Sequence, residues 1–212
     1  MYTPRHFAEH DLAALDELIA HDAFVTLVHQ QDGAPFATHL PVLYRRDGER
    51  VELRGHWSKA NPQWRDIAGQ SALIIVHGPH AYVSPTWYTD PEQRVPTWNY
   101  ATAHLYGHVV ISEDSAELEA IVTGLSDLYE AKHDSGWRFE RTTPDTRREL
   151  RGIVGFRFFA ERIELKFKLS QNHPVANQRG VIDHLEQHGG DDRRAVAAMM
   201  RTRLNEEARD ET

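Results

Sequence analysis

The apolar positions of this chain change period several times, and each change marks an element. Leu12, Leu15, Leu18 and Ile19 recur at helical spacing over residues 11–21, with Asp11 placed to cap the first turn. Residues 23–30 (AFVTLVHQ) read as a strand, and Asp32-Gly33 as a hairpin turn. Residues 35–46 return as a second strand in which Pro41 marks a bulge or an edge. A turn at Asp47-Gly48 leads to a third strand over residues 51–56. The period then shifts. Residues 61–67 (NPQWRDI) predict a short helix, with Asn61 as its cap and Pro62 at its first position. Residues 72–76 (ALIIV) form an almost unbroken apolar run, expected as a strand buried on both faces. Residues 81–84 and 97–100 predict short strands on either side of a proline-rich loop. A further strand is expected over 103–112, where Gly107 implies a bulge or a close backbone approach. Residues 115–133 form an amphipathic helix and 144–150 a shorter one. Residues 154–169 read as two strands or one long bent strand. Helices over 175–188 and 193–207 follow, separated by Gly189-Gly190.

Six or more strands, joined early by tight hairpins, predict an antiparallel sheet rather than alternating βαβ units. The expected class is α+β, mainly β: a small β-barrel with peripheral helices. The strand core is expected to occupy residues 1–171, with 172–212 a helical appendage of the same domain.

Composition narrows the function classes. Cysteine is absent from the 212 residues, which excludes disulfides, thiolate metal sites and a cysteine nucleophile. No apolar run approaches the roughly 18 residues of a membrane span, and residues 1–11 lack the apolar core of a signal peptide, so a cytoplasmic protein is expected. The formal net charge of -8 speaks against a sequence-independent nucleic-acid binder, whose affinity rests on neutralising phosphates.

Two stretches carry chemistry. Residues 78–100 (GPHAYVSPTWYTDPEQRVPTWNY) hold two Trp, three Tyr and four Pro. Aromatic rings between stiff prolines can line a flat apolar slot, with Ser84, Thr86, Thr97 and Asn99 at its edge, a setting for a planar conjugated ligand. The same stretch also reads as an aromatic core corner with a rigid turn. Residues 54–64 (RGHWSKANPQW) bring Arg54, Ser58 and Lys59 to a helix start at Asn61, where free N–H groups and the helix dipole favour an anion. This is a candidate phosphate cradle, alongside the plainer reading of a capped helix. It lacks the glycine-rich pattern of a nucleoside triphosphatase. The 14 histidines are scattered. His39 and His56 are expected on adjacent strands facing one cavity, and His77 and His80 across a turn. His104 and His108 share a face roughly 13 Å apart, too far for one metal ion, and no metal site is expected. No Gly-x-Ser-x-Gly turn is present, and neither Ser84 nor Ser170 has an evident catalytic partner.

The blocks MYTPRHF, ATHLP, GHWSKANPQW, AYVSPTWY, VPTWNY, RGIVGF and KFKLSQN, in this order over about residues 1–185, resemble the PaiB family. Its members are described as FMN-binding negative transcriptional regulators, similar in fold to the pyridoxamine-phosphate-oxidase-like split barrels. The resemblance implies an FMN-binding split β-barrel and a homodimer with the cofactor at the subunit interface. It implies that residues 36–40, including Thr38, His39 and Leu40, lie beside the isoalloxazine. Arg54, Ser58, Lys59 and Asn61 would hold the phosphate, and Thr97, Trp98 and Asn99 would approach the flavin from the same or the partner subunit. Lys168, Ser170 and Gln171 fall where a late segment of such barrels reaches the cofactor. His39 is the one residue singled out for proton transfer, from its place beside the ring.

Two alternatives accompany this reading. Haem, ligated through a histidine such as His39 or His56, is the other cofactor the split barrels suggest. Direct DNA binding would use residues 181–207, whose second helix carries Arg193, Arg194, Arg201 and Arg203. Asp191, Asp192, Glu206 and Glu207 bracket that helix and oppose phosphate binding.

Overall fold

The computed structural model describes residues 1–139 and 144–210. Strands β1 (Ala8–Glu9), β2 (Phe24–Gln31), β3 (Ala34–Pro41), β4 (Leu43–Asp47), β5 (Arg50–Ser58), β6 (Ser71–Val83), β7 (Thr97–Ser112) and β8 (Ile153–Lys168) build one sheet. Its order is β3-β2-β6-β7-β8-β5-β4, with β1 paired to β8. The registers of β1–β8, β2–β3, β2–β6, β4–β5 and β5–β8 are all antiparallel. Helices α1 (Ala13–His21), α2 (Gln63–Asp66), α3 (Ser115–His133), α4 (Pro144–Leu150), α5 (Val175–His188) and α6 (Asp191–Asp210) flank it. The mainly-β class is thus borne out.

Local chemistry explains most boundaries. Asp32 and Gly33 both take positive φ, 50° and 79°, the two-residue turn that matches strand twist. The predicted strand over 35–46 is two strands. Pro41 ends the pairing, and the Val42 N–H bonds the Ala23 carbonyl at 3.0 Å instead of a ladder partner. Asp114 caps α3, its Oδ1 accepting from the N–H groups of Ala116 and Glu117.

The chain divides into two compact units. One comprises Ile19–Val76 and His104–Ile163. Its core holds Leu27, Leu53, Trp57, Ile74, Phe156 and Phe158, with the Trp57 and Phe156 rings 4.6 Å apart. The other comprises Met1–Leu18, His77–Ala103 and Glu164–Thr212. Its core holds Leu15, Leu18, Val83, Val181, Ile182 and Val196.

Two predicted breaks do not exist. The expected strands at 72–76 and 81–84 are one 13-residue strand, and those at 97–100 and 103–112 one 16-residue strand. The buried positions along β6 run Ala72, Ile74, Val76 and then Pro79, Ala81, Val83, so the alternation slips by one near His77-Gly78. His77 and His80 therefore lie along one strand and do not meet across a turn.

Candidate functional site

In the unit containing β2 to β5, strand β5 alternates strictly. Val51, Leu53, Gly55 and Trp57 are buried, while Glu52, Arg54, His56 and Ser58 face the other way. The expected basic group is present but already compensated. Arg54 forks onto Glu52, two residues back on its own face, at 2.9 and 3.1 Å. Glu52 also raises the Arg54 pKa, chiefly through that hydrogen bond. Lys59 Nζ lies 3.1 Å from Glu113, with 42% and 56% of the two side chains exposed.

The helix-terminus part of the cradle is corrected. Helix α2 has only four residues. The N–H groups at this corner are taken within the chain: Lys59 donates to the Gly152 carbonyl, Ala60 to Ser58 Oγ, Asn61 to the Ser58 carbonyl and Gln63 to Asn61 Oδ1. What remains for a phosphate is the side chains. Ser58 is exposed, and Lys59 is half-buried with an exposed ion-pair partner that a dianion can displace at little cost, since such pairs contribute about 0–1 kcal/mol. A phosphate monoester fits this donor set.

Asn61 joins the corner to β3. Its Nδ2 donates to Thr38 Oγ1 at 2.9 Å while its Oδ1 caps Gln63. Strand β3 is a sheet edge, so one rank of its backbone groups faces away from β2. Pro35 and Pro41 blunt its two ends. Thr38 and Leu40 point to one side of β3. His39 points to the other, exposed, with Nδ1 2.9 Å from Thr26 Oγ1. Through the register Thr26↔His39, Val28↔Ala37, Thr26↔Ile75 and Val28↔Leu73, His39 shares its sheet face with Phe24, Val28, Ala37, Leu73 and Ile75. Phe24 is 48% exposed.

His39 and His56 are not on neighbouring strands, because β3 pairs only with β2 while β5 lies between β8 and β4. His56 is half-buried, its buried Nδ1 has no hydrogen-bond partner among the described residues, and burial lowers its pKa. His29 and His173 are lowered as well, first by burial. A histidine whose native pKa lies below its unfolded value of about 6.5 binds its proton more readily unfolded. Stability is therefore full above about pH 6.5 and is lost as pH falls toward the native values. The thermal midpoint should fall between about pH 7.5 and 5.5, and His56→Gln should flatten that slope. An unchanged slope in the variant would assign the acid sensitivity elsewhere.

Sequence reasoning missed Gln63, the fully buried centre of this corner. Its Oε1 accepts from Trp57 Nε1 at 2.9 Å, and its Nε2 faces the Leu27 carbonyl at 3.1 Å and His29 Nδ1 at 3.3 Å. The proline before it set the helix start, but nothing local signals that its amide is buried.

The remaining predicted residues lie in the other unit. Lys168 Nζ donates to Thr97 Oγ1 and to the Trp98 carbonyl, the latter at 2.7 Å, and burial lowers its pKa. Asn99 is fully buried against the Ser170 hydroxyl at 2.9 Å. Gln171 staples its own turn, accepting from the Leu169 N–H and donating to the Phe167 carbonyl. Trp98 alone of this set presents a large open surface, 52% exposed.

Arg193, Arg194, Arg201 and Arg203 of α6 are engaged within the chain. Arg201 forks onto Glu186, Arg194 meets Asp191 at 2.7 Å, Arg203 lies 3.3 Å from Glu9, and Arg193 donates to the His188 carbonyl. They do not form an uncompensated stripe for phosphates.

The sheet order and the flanking helices define the class as the split-barrel fold of flavin-binding proteins. The flavocytochrome Anf3 from Azotobacter vinelandii matches with a TM-score of 0.59 at 15% identity, over 78% of this chain and 72% of that one. The FAD and heme binding protein from Mycobacterium smegmatis matches at 0.55 and 20% identity, over 76% and 73%. At such identities the likeness is one of fold. The family follows from sequence. The pattern described as "Putative FMN-binding domain" matches residues 1–162, and the chain belongs to that family. The chain is also 32% identical over 209 residues to "Protease synthase and sporulation protein PAI 2" of Bacillus subtilis, spanning 98% of this chain and 100% of that protein. It is 29% identical over 206 residues to the uncharacterized protein AN0679 of Emericella nidulans, 82% of each. The resemblance to the PaiB family and the expectation of FMN as cofactor are borne out.

Proposed function

We propose that this chain binds FMN with its phosphate at Ser58, Lys59 and Asn61 and its ring along the open edge of residues 36–40, in a homodimer. The observation that carries this is the Asn61–Thr38 hydrogen bond, which makes the basic corner and the unpaired strand edge one continuous polar surface. The backbone of residues 36–40 suits the donor and acceptor edge of the flavin pyrimidine ring, and His39 stands on the open face as the candidate for proton transfer. Arg54 joins the phosphate if it leaves Glu52. The apolar face around the exposed Phe24 and the half-buried Val28 supports pairing with a second copy. When bound, the flavin supplies the redox chemistry, and the chain supplies orientation and access.

Sedimentation velocity with FMN, followed at the flavin's visible absorbance, tests both parts. The colour should travel with a species of twice the chain mass. Lys59→Ala should weaken binding by about ten- to a hundredfold, the scale of a charge-assisted contact. Flavin travelling with single chains, or undiminished binding in Lys59→Ala, would refute the corresponding half.

The haem and DNA readings gain no comparable support. The haem reading rests on a likeness of fold alone, and of the described α6 arginines Arg194, Arg201 and Arg203 meet carboxylates while Arg193 meets a backbone carbonyl.

A further inference from the structure

Of the cations at the corner around Lys59, Arg65 pairs with no carboxylate among the described residues. It is exposed on α2, with its guanidinium over the Trp64 ring, 4.9 Å from the centroid. Arg65 Nη2 lies 3.5 Å from the Lys59 carbonyl oxygen, the same atom that accepts from Trp64 Nε1 at 3.1 Å. The half-buried Trp64 is thus pinned to the backbone of Lys59 and forms the seat of the guanidinium. Both groups that Arg65 meets are neutral, so its full charge remains. The neighbouring Asp66 is turned to β2, where its Oδ2 accepts from Gln31 Nε2 at 2.8 Å and its charge acts on His29.

A phosphate monoester carries a charge of about -1.5 to -2 at neutral pH. Lys59 answers one of those charges once Glu113 is displaced. Arg54 is a costly second, because its fork onto Glu52 would have to break and would leave that carboxylate beside the ligand. Arg65 breaks no ion pair. A guanidinium stacked on a ring keeps its planar fork of donors open to phosphate oxygens.

We propose that Arg65, seated on Trp64, is the second cation that binds the flavin phosphate together with Lys59. This rests on the reading of FMN at Ser58, Lys59 and Asn61, and adds to it a residue from α2.

Fluorescence titrations of the full chain with FMN and with riboflavin, which lacks the phosphate, test the assignment. Arg65→Ala should weaken FMN about tenfold, the scale of one charge-assisted hydrogen bond, and leave riboflavin within about twofold of wild type. Arg65→Lys, which keeps the charge and loses the fork, should fall between wild type and Arg65→Ala. FMN binding unmoved by Arg65→Ala, or a loss shared equally by riboflavin, overturns the proposal while the flavin reading stands. Wild-type protein that binds the two flavins equally overturns the phosphate site itself, and the proposal with it. Should Arg65→Ala fail to fold, the same comparison with Arg65→Gln, which keeps a stem over Trp64, decides it.

Discussion

Gly107→Val should leave little or no folded protein, and Gly107→Ala should lower the melting temperature by about 8–16 °C, a loss of about 4 kcal/mol for a chain of this size. A Cβ at Gly107 would stand 1.9 Å from the Phe159 carbonyl oxygen and 2.9 Å from its carbon. Both atoms are backbone, in β8, the hydrogen-bonded neighbour of β7. No rotamer relieves that contact, so the two strands must separate where Phe156 and Phe158 fill the core. Gly107 has an ordinary φ, so the effect is steric rather than conformational. Thermal unfolding by circular dichroism reads it directly. A midpoint within about 2 °C of wild type for Gly107→Ala would mean that β7 and β8 are not packed so closely.

Gln63→Leu should cost about 3–5 kcal/mol although the side chain keeps nearly its size, because buried polar groups left without partners cost about 1–3 kcal/mol each. The substitution orphans Trp57 Nε1, in a side chain that is 2% exposed, and removes the donor facing the Leu27 carbonyl and His29 Nδ1. The loss should shrink when Trp57 is also changed to Phe, since the orphaned N–H then disappears. A double-mutant cycle measures that coupling. Strictly additive losses would show that Gln63 and Trp57 act separately.

The contrast between these two residues shows what the sequence could disclose. A glycine inside the strand pattern of residues 103–112 implies a bulge or a close backbone approach, and Gly107 has the close approach. The Asp32-Gly33 turn and the bounds of α3 and α5 were legible for the same reason: each is fixed by residues within a few positions of one another. Gln63 was not legible, because its partners come from β2, β3 and β5. The continuity of β6 was hidden by Gly78-Pro79, which reads locally as a turn. A Cβ at Gly78 would stand 2.6 Å from Leu18 Cδ2 and 2.7 Å from the Ala101 carbonyl oxygen, so a residue without one is required there within a strand. The pairing of His39 with His56 failed on strand order, which no local pattern encodes. The candidate phosphate site was legible as a set of residue types. The carboxylates that answer it, Glu52 and Glu113, were not. One shares a strand face with Arg54, and the other comes from the segment between β7 and α3.

We infer that Lys59, beside the open edge of β3, holds the phosphate of FMN. Titrating the wild-type protein with FMN and with riboflavin, which lacks only the phosphate, tests it most directly. FMN should bind about a hundredfold more tightly, and raising the salt concentration should narrow the gap. Equal affinities for the two flavins would contradict it.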